Sequence, residues 1–103
     1  MSTFAVEVTP TAAQEIRAQA AYILEQSASP ECTVQWLHRV RWAIESLTFM
    51  PHRGAWSREA HYIDKPVRQI LVASHRVLYT VDDQRHKVIV VGFRHGRRQR
   101  QTD

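Results

Sequence analysis

Between Val67 and Arg100 the chain reads VRQILVASHRVLYTVDDQRHKVIVVGFRHGRRQR, with apolar residues at every second position in three separate runs. Ile70 and Val72 make the first, Val77, Tyr79 and Val81 the second, and Val88, Val90 and Gly92 the third. A period of two belongs to a strand with one buried face. Asp82-Asp83 closes the middle run, and short carboxylates favour turns because they bond nearby backbone amides. The pattern predicts a three-stranded antiparallel meander that runs out into a basic tail. At the other end, Phe4, Val6 and Val8 alternate with Ala5 and Glu7 in a short first strand.

The period then changes. Ala12, Ala13, Ile16, Ala20, Ile23 and Leu24 recur at spacings of three and four, which predicts an amphipathic helix from about Pro10 to Gln26. Thr9-Pro10 supplies an N-cap and a proline at the first helical position, where its missing N–H costs nothing. Ser29-Pro30-Glu31 repeats the device for a second helix, with an acid at its positive end. Val34, Leu37, Val40, Ile44 and Leu47 form the stripe expected to be buried; Trp36, Ala43 and Met50 lie on a second apolar face. Pro51 and Gly54 stop this helix. Ala55 to Pro66 reads as an irregular connection, with Tyr62-Ile63 opening the next strand. The predicted order is β-α-α-β-β-β. This is one α+β domain over residues 1–103, a helical hairpin on a small antiparallel sheet, with a basic tail from about residue 94 to 103.

A chain of 103 residues has room for a single core and little else. It has no apolar run near the ~18 residues of a membrane span, and its MSTFAVEV start lacks the basic and apolar blocks of a signal peptide. A cytoplasmic location follows, and the lone Cys32, expected to be a small, partly buried residue, agrees with a reducing compartment. The six histidines stand singly, with no ligand spacing, so neither a metal nor another cofactor is implied. The formal charge of +4 is unevenly spread: Arg85 to Arg100 holds six Lys and Arg and no acid. A block continuing a strand is presented by rigid structure, and it attracts phosphates or an acidic protein surface.

The order of elements and several short pieces together resemble the RelE/ParE superfamily of toxins from type II toxin–antitoxin systems, in its ParE-like branch. The pieces are Thr9-Pro10-x-Ala12, Ala21-Tyr22-Ile23, Ser29-Pro30, and Ile44-x-x-Leu47 ahead of Pro51-x-x-Gly54. Further along come Val67-Arg68, His75-Arg76-Val77-Leu78-Tyr79-x-Val81 and Val90-Val91-Gly92-Phe93-Arg94-His95-Gly96-x-Arg98. The resemblance implies a RelE/ParE-like fold and one of two activities. ParE-like members inhibit DNA gyrase; RelE-like members are ribosome-dependent mRNA interferases. Metal-independent RNA cleavage needs a base, cations for the phosphorane and an acid. By resemblance Arg76, Arg94 and His95 match a nuclease's residues, but Arg68 and Gln69 replace its lysine-rich strand start and no tyrosine follows Arg97. Glu59 and His61 are the substitutes available as base.

The reading preferred from the sequence is therefore a gyrase inhibitor with no favoured catalytic residue, the endoribonuclease being the alternative. Its target-binding surface would comprise Arg68, Arg76, Arg94, His95, Arg97, Arg98 and Arg100. A small, acidic, ParD-like antitoxin would cover an apolar groove in a hetero-oligomer, with Trp36, Trp42 and Trp56 as candidate anchors, and no membrane is involved.

Overall fold

The computed structural model describes residues 3–62 and 65–96, and only the backbone of residues 58–62. The elements are β1 (Ala5–Val8), α1 (Pro10–Ser27), α2 (Pro30–Ser46), β2 (Ala55–Tyr62), β3 (Lys65–Val72), β4 (His75–Asp82) and β5 (Lys87–His95). The α+β class and the helical hairpin are as expected. The sheet has one strand more: Ala55–Tyr62, anticipated as irregular, is an edge strand. Its sequence AWSREAHY carries too few apolar residues to print a period of two. The sheet order is β1-β5-β4-β3-β2, and β1 runs parallel to β5, so the sheet is mixed rather than wholly antiparallel.

Both helix starts follow from their caps. Thr9 Oγ1 accepts from Ala12 N–H at 3.1 Å and Ser29 Oγ from Cys32 N–H at 3.2 Å, each satisfying a backbone donor the first turn leaves open. Ala28, at φ 53°, ends α1 and returns its N–H to Leu24 O. Asp82 Oδ1 accepts from Arg85 N–H in the β4–β5 turn, the local bond that its acidic pair foretold.

One face of the sheet is covered by the helices, and Ile70, Val72, Val77, Tyr79, Val88, Val90 and Phe93 meet Ala12 and α2 there. On α2 the buried residues are Thr33, Trp36, Val40, Ala43 and Ile44, with Leu47 at its C-cap. Of the expected stripe Val40, Ile44 and Leu47 are buried and Val34 faces solvent; of the second apolar face Trp36 and Ala43 are inside and Met50 is exposed. Sheet and α1 both claim the helix, and the residues facing the sheet are Trp36 and Ala43 rather than Val34. Cys32 is likewise exposed, not partly buried.

The phase of β5 also changes partway. Tyr79 is opposite Val90 and Leu78 opposite Gly92, so Val91 is a bulge. Val88 and Val90 face the helices before it, and Phe93 does so after it; Gly92, expected to continue the alternation, is turned away. Val67, Leu78 and Thr80, also off the helix-facing alternation, are buried too.

Candidate functional site

Two arginines meet where β4 starts and β5 ends. Arg76 pairs in register with Arg94, and like charges directly opposite one another repel. Each has an oxygen to meet. Arg76, only 3% exposed, donates from Nη1 to Gln69 Oε1 at 2.8 Å. Arg94 donates to both carboxylate oxygens of Glu15, at 2.8 and 2.9 Å.

Glu15 is there for a structural reason. β1 pairs with β5 only as far as Val90, where Thr9 N–H makes the last bond. Beyond it, α1 runs beside the open edge, and Glu15 Oε1 accepts from Phe93 N–H at 2.9 Å. One carboxylate therefore seals the strand edge and holds the guanidinium. Gly92 leaves room for this: a Cβ there would sit 3.0 Å from Arg94 Nη1.

Behind the arginines is an aromatic stack. His75 lies on Phe93 with ring centres 5.0 Å apart and planes 12° from parallel, and Trp36 meets both rings edge-on. His95 meets His75 edge-on at 5.0 Å. His75 is 5% exposed and its Nε2 lies 3.0 Å from Gln19 Oε1. Facing a carbonyl oxygen, Nε2 carries the ring proton, and Nδ1 is buried without a hydrogen-bond partner. Burial lowers the pKa of His75 below its ordinary value, and the neighbouring His95 lowers it further.

A pH dependence follows. Since the folded-state pKa lies below the unfolded 6.5, the unfolded chain binds a proton at His75 where the folded chain does not. Stability should fall as pH drops through about 6.5 and level off below the folded value. Urea midpoints across this range check it: the acid-side loss should be shallower in His75→Gln than in the parent, and equal slopes would remove His75 as the cause.

The other predicted residues lie apart from this cluster. Arg68 donates to the carbonyls of His52 and Gly54, at 3.1 and 2.8 Å, and its guanidinium lies 4.0 Å over the Trp56 ring. It buttresses the α2–β2 loop. Trp36 is 8% exposed and belongs to the core, whereas Trp42 and Trp56 stand in solvent at 72% and 57%. Arg97, Arg98 and Arg100 lie outside the described residues. The backbone register separates Glu59 and His61 from His95. His61 is opposite Pro66, while His95 aligns through His75 with Val72, at the other end of β3. The separation is about 20 Å along the strands, with three strand spacings, roughly 14 Å, across them.

An apolar groove of about 560 Å³ opens between α1, α2 and β1, floored by Val6, Val8, Ile16, Leu37, Val40 and Ile44. Arg41 and Glu45, paired at 3.0 Å, stand among the groove's lining, which includes none of the three tryptophans. Sequence reasoning singled out neither Glu15 nor Gln19: nothing in an α1 pattern says which polar residue will reach a strand edge. Among the described residues no three His, Cys, Asp or Glu side chains gather as a metal site, and no helix is long and apolar enough to cross a membrane.

The arrangement of two helices on a five-stranded mixed sheet is that of the RelE/ParE toxins. The model for the ParE toxin of the type II toxin–antitoxin system parDE matches residues 6–100, and the chain belongs to that family. Solved toxin–antitoxin structures share the fold, among them the following three. The chromosomal ParDE toxin–antitoxin system from P. aeruginosa superposes with a TM-score of 0.71 at 14% identity, covering 90% of this chain and 96% of that one. The RelBE2 toxin–antitoxin complex from Mycobacterium tuberculosis gives 0.57 at 19% identity, with 92% and 93% covered. The archaeal RelE–RelB complex from Pyrococcus horikoshii OT3 gives 0.62 at 12% identity, with 93% and 98% covered. No curated protein matches the sequence significantly.

Proposed function

We propose that this family toxin arrests growth by inhibiting DNA gyrase in the cytoplasm, without cleaving RNA, and is silenced by a cognate antitoxin. The observation that carries the reading is the register. His61, one of the two residues considered as a substitute base, lies opposite Pro66 on the edge strand, and that strand, which also carries Glu59, is separated from His95 on β5 by β3 and β4. General acid–base catalysis needs its groups within hydrogen-bond reach of one reacting centre. The match to the ParE rather than the RelE description points the same way.

The groove between α1, α2 and β1 is where the antitoxin would lay an amphipathic helix, since aliphatic side chains floor it and charges stand at its rim. Trp42 and Trp56 stand outside this groove and remain candidate anchors for other parts of the antitoxin, and Trp36 acts by supporting the interior. On the target side, Arg94 and His95 lead into Arg97, Arg98 and Arg100. Arg68 and Arg76 contribute by holding the scaffold, because each is already bonded to protein oxygens.

A second reading, the ribosome-dependent mRNA interferase, is favoured by one feature. Arg76 and Arg94 are cross-strand neighbours beside His95, which concentrates positive charge at one end of the sheet. One experiment separates the two: induction without antitoxin, followed by primer extension and assay of gyrase supercoiling in vitro. Intact mRNA with inhibited supercoiling is the expected result. Phased mRNA cuts and unaffected gyrase overturn it. Replacing Arg97, Arg98 and Arg100 together by alanine should weaken the arrest while leaving the melting temperature unchanged.

A further inference from the structure

Glu15 carries a charge that sealing the strand edge does not need. The Phe93 N–H asks for one acceptor, and a neutral amide oxygen would serve it as well. The carboxylate also takes Arg94, both of its oxygens meeting Nη1 at 2.8 and 2.9 Å. This pair is partly open to solvent, with the Arg94 side chain 47% and the Glu15 side chain 32% exposed, so it adds little to stability. All the hydrogen bonds of Arg94 run from that one nitrogen, the third being a long contact to Phe93 O at 3.5 Å. Nε and Nη2 are left without a protein acceptor among the described residues. A guanidinium has donors enough for two oxyanions at once, and here one edge is taken and the other is open.

We propose that Glu15 is a built-in attenuator: it positions Arg94, and its charge weakens the grip of Arg94 on an oxyanion of the target. This rests on the reading of Arg94 as part of the target-binding surface, and it makes a residue of α1 the one that sets the strength of that surface. The incoming oxyanion takes the open Nε and Nη2 edge, while Glu15 stays on Nη1. Two anions sharing one guanidinium stand roughly 5 Å apart and repel, which at an exposed site lowers affinity severalfold and is screened by salt. Arg76 lies directly across the strands from Arg94, so without the carboxylate two like charges face each other and the positive potential at this end of the sheet rises. A phosphate and a carboxylate offer the same forked oxygens, so the ligand chemistry is that of an oxyanion, whether carried by nucleic acid or by a protein.

The test is titration of the purified full chain with inorganic phosphate, followed by NMR at the Arg94 Nε–H and the His95 amide. Glu15→Gln keeps an acceptor for Phe93 and removes the charge. It should melt within a few degrees of the parent and bind phosphate about fivefold more tightly at low ionic strength. The gain should fade in about 0.5 M sodium chloride. Glu15→Ala, which gives up the edge bond as well, should show the same gain, so the result does not hang on how the glutamine amide is turned. With Arg94→Ala added, Glu15→Gln should gain nothing at the His95 amide. Phosphate binding by both single variants no tighter than the parent's overturns the proposal, since a residue that only staples the fold gives no gain when replaced. A gain that survives Arg94→Ala, or that persists at high salt, overturns it too. Binding of the labelled chain to gyrase without DNA, and to DNA without gyrase, then names the source of the oxyanion as the arm in which Glu15→Gln gains. Tighter phosphate binding by a variant that leaves gyrase active sinks the gyrase reading and keeps the attenuator. Equal inhibition of gyrase by parent and variants does the reverse.

Discussion

Gly54→Ala should destabilise the fold by about 3 kcal/mol, lowering the melting temperature on the order of 15 °C. A Cβ at this position would lie 2.5 Å from the Tyr79 hydroxyl and 2.6 Å from the Gln69 carbonyl oxygen. Neither can retreat. Tyr79 is fully buried in the core, and the Gln69 carbonyl belongs to β3, clamped between β2 and β4. Relief must come from the α2–β2 loop moving outward, which breaks two contacts at once. Gly54 N–H donates to the Tyr79 oxygen at 3.0 Å, and Gly54 O accepts from Arg68 Nη1 at 2.8 Å. Tyr79→Phe isolates one component: it leaves the Gly54 N–H buried without its acceptor, at a cost of about 1–2 kcal/mol. The double variant should lose less than the two singles added together, since removing the hydroxyl also removes one of the two clashes. Thermal unfolding of the four proteins checks the cycle. A single Gly54→Ala variant melting within a few degrees of the parent would mean that the loop yields freely.

That contact also explains why part of the fold could be read from the residues. Gly54 in Pro51-x-x-Gly54 and Tyr79 in the Val77–Val81 run occur in two separate pieces of the family resemblance, and they meet in the structure. Thr9-Pro10 and Ser29-Pro30 were legible because a cap acts within three residues of itself. Legibility fails where a partner is distant or shared. Glu15 binds Phe93 and Arg94 across 78 and 79 residues, and no local pattern encodes that pairing. The Val91 bulge reverses the faces of β5, although Val88 to Gly92 alternates as if straight. β2 escaped notice because an edge strand is held by its backbone ladder and need not bury alternate side chains. The candidate site was legible as a set of cations, and opaque as to which of them were already bound.

Trp36 and Trp42 put the sharpest number on that distinction, being six positions apart on the same helix and alike in sequence. Trp36→Ala should cost about 4 kcal/mol, whereas Trp42→Ala should change stability by less than about 0.5 kcal/mol. The Trp36 indole closes the stack over His75 and Phe93, with ring centres at 5.4 and 5.7 Å, and removing it opens a cavity that the sheet below cannot collapse to fill. Water entering that cavity would reach His75, whose lowered pKa owes most to burial. In Trp36→Phe, which keeps part of the packing and should remain folded, the His75 pKa should accordingly move back toward its ordinary value. Denaturant midpoints give the stabilities, and NMR titration of the His75 ring gives the pKa. A Trp36→Ala variant as stable as Trp42→Ala would place the indole outside the core and dissolve the link between the aromatic stack and the buried histidine.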